Sequence, residues 1–217
     1  MTKPQPKSEK DGEKLDPRFK NELPHTDSLA EYAVMYGKRV AEGVAAVDPL
    51  QIQAAFHLME HTIAKGARIY VAGNGGSAAI SDHLVCDWVK GVHASHLPPL
   101  RVHSLASDTP LLTALANDFS FDECFSRQIE MLTQPGDAVI LISSSGNSPN
   151  IIRAAETARA QGLKVVGLSG FSGGKLRDLS DITLYVPLKN YGMVEDCHQM
   201  LMHILAQFLA QKRDLKK

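Results

Sequence analysis

Two stretches of this chain each join a short apolar, β-branched run to a small polar turn and then to a helical pattern. That pairing points to a parallel α/β sheet. In the first stretch, residues 68–91, a strand over 68–72 meets Gly73-Asn74-Gly75-Gly76-Ser77, and helical spacing begins at Ala78. In the second, residues 137–150, a strand over 138–142 ends in Ser143-Ser144-Ser145-Gly146-Asn147-Ser148, and Pro149 suits the first turn of a helix. Glycine lets a backbone approach a ligand closely, and the first amides of a helix carry partial positive charge. Each loop therefore suits an anion such as phosphate, with hydroxyls standing where other sites use lysine, and Ser77 either caps its helix or offers its hydroxyl. Neither loop has the G-x-G-x-x-G or Gly-Lys-Ser/Thr spacing of a nucleotide site. Taken singly, the serine run is equally a polar turn with good caps.

The rest of the chain repeats the alternation. Strands are expected over 100–105, 164–168 and 182–186, and helices over 149–161 and 194–212. One helical stretch starts at Pro110 and continues through 124–132, and Gly173-Gly174-Lys175 reads as a turn into a short helix. The fold class that follows is α/β, a five-stranded parallel doubly wound sheet of flavodoxin-like type with helices on both faces. Ligands in such sheets bind at the carboxyl ends of strands near the topological switch point, where both polar loops fall. Two helical patterns, 28–47 and 49–65, precede the sheet. Leu29, Tyr32, Ala33, Met35 and Tyr36 make an apolar face on the first, and Ile52, Ala55, Phe56, Met59 and Ile63 on the second. These faces cover either their own sheet or another subunit.

With 217 residues and 44% hydrophobic content, one domain over 24–217 is expected, after a charged, proline-bearing tail at 1–23 with little to bury. A net charge of −1 gives no general electrostatic reason to bind nucleic acid or membrane. No apolar run approaches the roughly 18–20 residues of a membrane span, and the amino terminus lacks a secretory core. Cys86, Cys124 and Cys197 form no metal-site pattern and read as small buried apolar residues in a reducing cytoplasm.

His83 and Asp87 stand four apart on one helix face, as a pair that chelates a divalent metal or shares a proton, or as a solvated surface pair. His198 lies five residues before His203, off its face, and is assigned to packing or a subunit contact. Asp196 suits a first helical turn, where a carboxylate favours the dipole. Asn117 and Asp118 precede Phe119 at an expected turn. His93, His96 and His103 have no partner spacing, and Trp88 is expected to pack between helices or subunits.

The two loops, together with Asn117-Asp118-Phe119, Phe125-Ser126-Arg127, Gly173-Gly174-Lys175 and the run from Val194 to His203, resemble the sugar isomerase (SIS) domain. Within it the chain is most similar to bacterial phosphoheptose isomerases, over residues 30–209. The resemblance implies phosphate binding by Ser143, Ser144, Ser145 and Ser148, and sugar contacts from Asn74, Gly75, Gly76 and Ser77 and from Asn117 and Asp118. It implies one zinc ion per subunit held by His83, Asp87, Glu195 and His203, with Asp87 and Glu195 also touching substrate. Asp87 stands where the family has a glutamate base, Glu195 where it has a glutamine, and His203 where it has its second acid/base. The implied reaction converts sedoheptulose 7-phosphate to D-glycero-D-manno-heptose 7-phosphate through an enediol. It would supply heptose for lipopolysaccharide or capsule, in a cytoplasmic homotetramer. The alternative is a non-catalytic SIS protein, a phosphosugar sensor or a scaffold associated with the replication initiator. The aspartate and glutamate departures keep that alternative open.

Overall fold

A computed structural model describes residues 22–214. The expected tail lies outside the described residues except for its last two. Of these, Glu22 accepts the Lys189 N–H at 2.7 Å and Leu23 packs against the core.

Helix α1, Leu29–Ala45, begins at Ser28, whose hydroxyl accepts the Glu31 N–H. Helix α2, Pro49–Ala64, is capped by Asp48 with proline in its first turn. The sheet follows: β1 Ile69–Gly73, β2 Val102–Ser104, β3 Ala138–Ser143, β4 Lys164–Ser169 and β5 Ile182–Tyr185. All neighbours pair in parallel in the order β2-β1-β3-β4-β5. The direction of strand addition reverses between β1 and β3, so the loops leaving those two strands flank the switch point.

Between the strands run α3 Gly76–Cys86, α4 Thr109–Asp118, α5 Cys124–Leu132, α6 Pro149–Ala160 and α7 Gly174–Leu179; α8, Tyr191–Asp214, closes the chain. Strand residues alternate between two cores. Ile69, Val71, Ile140, Ile142, Val166 and Leu168 face the side covered by α1, α2, α3 and α8. Tyr70, Ala72, Val139, Leu141 and Val165 face α4 to α7. The expected α2 face is buried at Ala55, Phe56, Met59 and Ile63, so this helix covers its own sheet. Helix α1 differs: Val40 and Gly43 are buried against the α8 side, whereas Leu29 and Val34 are exposed.

Several expectations need correction. The helical stretch begun at Pro110 is two helices, interrupted by a turn in which Phe119 leaves helical geometry and residues Phe121–Glu123 form a 3₁₀ turn. The helix after the first loop does not run to Gly91 as α-helix. Residues Asp87–Gly91 form a π-helical turn, a feature often found at functional sites. Helix α8 starts three residues earlier than expected, which puts Asp196 beyond the first turn, where it accepts the Tyr36 hydroxyl at 2.7 Å instead of serving the dipole. Cys124 and Cys197 are buried as expected, but Cys86 is exposed. No helix among the described residues is long and apolar enough to cross a membrane.

Candidate active site

The loops after β1 and β3 and the first turns of α8 enclose a cleft of about 490 Å³. It is lined by Asn74, Gly75, Gly76 and Ser77 from the first loop, and by Ser143, Ser144, Ser145 and Ser148 from the second. Tyr191, Gly192 and Glu195 of α8 complete the wall, and among the described residues no lysine or arginine lines it. An anion held here is therefore met by hydroxyls and by the amino end of α3, not by a side-chain cation.

The loops are tied to one another. Asn74 and Asn150 exchange two side-chain hydrogen bonds, at 2.9 and 2.8 Å, across 76 residues of sequence. Within the second loop the Ser143 and Ser148 hydroxyls share a hydrogen bond at 3.1 Å, and Ser145 Oγ accepts the Asn147 N–H at 3.2 Å. The Ser144 hydroxyl turns inward, buried and unpaired. Gly146 (φ +67°) lies directly against the main chain of Gly173, so no Cβ fits there. The Gly146 carbonyl accepts Leu176 N–H, and Asn147 Oδ1 accepts Lys175 N–H, which clamps the serine loop onto the start of α7.

Glu195 sits over the first turn of α3; a Cβ on Gly76 would stand 2.6 Å from the Glu195 carboxyl carbon. Burial, followed by the charge of Asp196, raises the Glu195 carboxyl above its ordinary range.

Farther along the same two helices, His83, Asp87 and His203 come together. Asp87 Oδ1 is 3.4 Å from His83 Nε2 and Asp87 Oδ2 is 3.3 Å from His203 Nε2. The two imidazoles meet edge to face with centroids 4.9 Å apart. One donor atom from each residue lies within 4.8 Å of the others, a spacing and a nitrogen-oxygen set that suit a divalent metal. The π-helical turn starts at Asp87, and a groove of about 300 Å³ along it is lined by Asp87, His203 and Gln207 among others.

The structure does not bring every expected residue to one place. Glu195 is outside the His83–Asp87–His203 group: it sits at the cleft, eight residues and about 12 Å of helix rise before His203. The residue that reaches His203 is Gln199, whose amide lies 3.0 Å from His203 Nε2. Asn117 and Asp118 are exposed at the end of α4, bonded to each other at 3.0 Å, and line no part of this chain's cleft. His198 is fully buried in its own subunit, which makes it a packing residue and not a subunit contact.

Four residues near the site were missed by sequence reasoning. Asn150 carried no local signal, since its partner is remote in sequence. Gln199 could have been found by spacing, four residues from both Glu195 and His203. Tyr191 lies before the expected start of its helix, and its ring packs at a tilt of 56° and a centroid distance of 4.9 Å against Phe171, a non-glycine residue held at φ +52°.

A 2-1-3-4-5 parallel sheet with two polar loops at its switch point defines a doubly wound α/β domain built to hold a small anionic ligand. Residues 34–170 match the SIS domain family. The phosphoheptose isomerase of Trichlorobacter lovleyi is 39% identical over 183 residues, 84% of this chain and 90% of that protein. Solved phosphoheptose isomerases from Francisella tularensis and Neisseria gonorrhoeae superpose with TM-scores of 0.78 and 0.76, at 30% and 29% identity. Each alignment covers 84% of this chain, with 96% and 98% of the respective solved chain. The chain belongs to the SIS domain family, among the phosphoheptose isomerases.

Proposed function

We propose that this chain is a phosphoheptose isomerase that interconverts sedoheptulose 7-phosphate and D-glycero-D-manno-heptose 7-phosphate. The observation that carries the reading is the pairing of a cation-free cleft of hydroxyls and amides with a separate His–Asp–His group on the same two helices. The first holds a phosphate remote from the chemistry, and the second supplies acid and base.

In an aldose-ketose interconversion a proton moves between adjacent carbons while the neighbouring oxygens exchange carbonyl and hydroxyl character. Asp87 is the base that takes the proton from carbon and returns it. His203 is the complementary acid/base for the oxygens, held by its contacts to Asp87 and Gln199. Fixing the phosphate end in the cleft restricts the motion of the reacting end, which lowers the entropic part of the barrier. Ser143, Ser145 and Ser148 offer hydroxyls to the phosphate, Ser144 its main chain, and Asn74 to Ser77 meet the sugar. Zinc is the metal we assign to His83, Asp87 and His203; it would polarise the carbonyl and stabilise negative charge on oxygen. Glu195 is assigned to substrate contact at the cleft. A scaffold or sensor role has no use for the His83–Asp87–His203 group.

We further propose a homotetramer. Exposed Met200, Ile204 and Phe208 repeat every four residues along α8, and α1 exposes Leu29 and Val34, which gives apolar faces for other copies to cover. Asn117 and Asp118, remote from this chain's own cleft, reach sugar hydroxyls only if such packing brings them to a neighbour's. The product feeds heptose synthesis for the cell surface, in the cytoplasm.

The test is turnover of sedoheptulose 7-phosphate by the purified protein with and without zinc, beside Asp87→Glu. Native turnover is expected, with the variant within about a hundredfold of it in either direction. Activity in the variant alone would mark the native site as a sensor, and activity in neither would exclude this substrate.

A further inference from the structure

Two side chains four residues apart on a helix share one face, so a pair of packed helices can build a metal site from two such pairs. His83 and Asp87 make one pair along α3 and the turn that follows it. Gln199 and His203 make a second pair on α8, which packs against α3. The two pairs face each other.

Their common neighbour is His203 Nε2. It stands 3.3 Å from Asp87 Oδ2, 3.5 Å from His83 Nε2 and 3.0 Å from the half-buried Gln199 amide. Asp87 Oδ1 in turn stands 3.4 Å from His83 Nε2. Ligands about 2.0–2.2 Å from a tetrahedral zinc ion stand roughly 3.3–3.6 Å from one another. The histidine and aspartate donors already have that spacing, and the amide lies slightly inside it.

One ring nitrogen cannot serve a metal and a hydrogen bond together, because its single lone pair or single proton goes to one partner. With His203 Nε2 on a metal, the Gln199 amide keeps its place only by turning its oxygen to the same ion. Nothing else holds that amide: among the described residues its hydrogen-bond partner is His203 alone. A half-turn about its last bond exchanges nitrogen for oxygen.

We infer that Gln199 is the fourth ligand of a divalent-metal site formed with His83, Asp87 and His203. The inference rests on the assignment of a metal to that group of three. Glu195, which the resemblance implied as the fourth ligand, is placed elsewhere: its carboxyl stands over Gly76, seven residues before His83. The choice has an electrostatic consequence. One carboxylate and three neutral donors leave a divalent ion with net positive charge, which favours negative charge on a substrate oxygen, whereas a second carboxylate would cancel it.

The experiment strips the full chain of metal with a chelator and measures its zinc affinity by competition with a chromophoric chelator. Gln199→Leu is expected to bind zinc at least about tenfold more weakly. Gln199→Glu puts a charged oxygen donor in the same place and is expected to bind zinc more tightly than the native protein, while Glu195→Ala keeps near-native affinity. Unchanged or tighter binding in Gln199→Leu is the behaviour of an amide that only hydrogen-bonds to His203 in the metal-free protein, and it overturns the assignment. A loss in Glu195→Ala as large as that in Gln199→Leu also overturns it, by giving the fourth position to Glu195. If Gln199→Leu does not fold, Gln199→Glu, of nearly the same shape, decides: binding no tighter than native rejects Gln199 as a ligand. A native protein that binds zinc no better than His83→Ala takes the metal from the group, and the proposal falls with it. Native zinc binding without turnover of sedoheptulose 7-phosphate sinks the substrate assignment and leaves the ligand set standing.

Discussion

At the cleft, most polar groups are already engaged with protein: Asn74 with Asn150, Ser143 with Ser148, Asn147 with Ser145 and Lys175. About 12 Å down the same helix pair, His83, Asp87 and His203 contact one another and Gln199, with 49%, 31% and 38% of their side chains open to solvent. One region is braced from behind and the other lies open beside a π-helical turn and an uncovered apolar stripe. Recognition of a phosphate needs a fixed set of donors before the ligand arrives, because ordering them on binding would weaken affinity. Acid-base groups gain from the opposite arrangement, completion by metal, substrate or a second copy of the chain.

The sharpest break between the regions is His203→Ala. Turnover should fall by roughly 10²- to 10⁴-fold while phosphate inhibition stays near native, both read in an isomerase assay. Equal damage to phosphate binding would show that the two ends are not separate. The next largest effect belongs to the braced end. Gly146→Ala forces a side chain into a positive-φ position against main chain, so urea unfolding should show a loss of about 1–3 kcal/mol, with weakened phosphate binding. Gly76→Ala meets only the end of the Glu195 side chain, which can move aside, and should cost less. Asn150→Ala strands the Asn74 amide and should remove about 1–2 kcal/mol in the same assay.

The smallest expected effect is Glu195→Gln. A carboxyl whose folded value is raised keeps its full contribution to stability at low pH and loses it as pH rises through that value. Near pH 7 the ionised Glu195 is therefore a liability. Glutamine should raise the melting temperature slightly there and leave it unchanged near pH 4. A variant that melts lower near neutrality would show that the carboxylate is paired favourably.

Much of the cleft was legible in sequence because its parts are local. GNGGS and SSSGNS each sit at one strand-to-helix junction, and a run of four or five apolar residues before a glycine or serine turn states where the strand stops. The His83–Asp87 pair was legible for the same reason, since a separation of four residues on a helix is a separation in space. The place of Glu195 was not, because a separation of eight residues on a helix leaves open whether two long side chains meet, and only its seat over the first turn of α3 put it at the cleft. Asn117 and Asp118 were out of reach. Their distance from the cleft depends on where α4 ends and how the chain turns at Phe119.

By itself the sequence determined the alternation of strands and helices, the two polar loops, the apolar face of α2 and the residue types available for acid-base work. All of these follow from periodicities of two and 3.6 residues and from the special freedom of glycine. Tertiary structure alone decided which loop met which. It set Asn74 on Asn150, turned the Ser144 hydroxyl inward, and laid α8 beside α3 so that His203 reached Asp87 and Glu195 reached the cleft. Those contacts join residues 50 or more positions apart, and their partners are chosen by strand order and helix packing, which no local pattern carries.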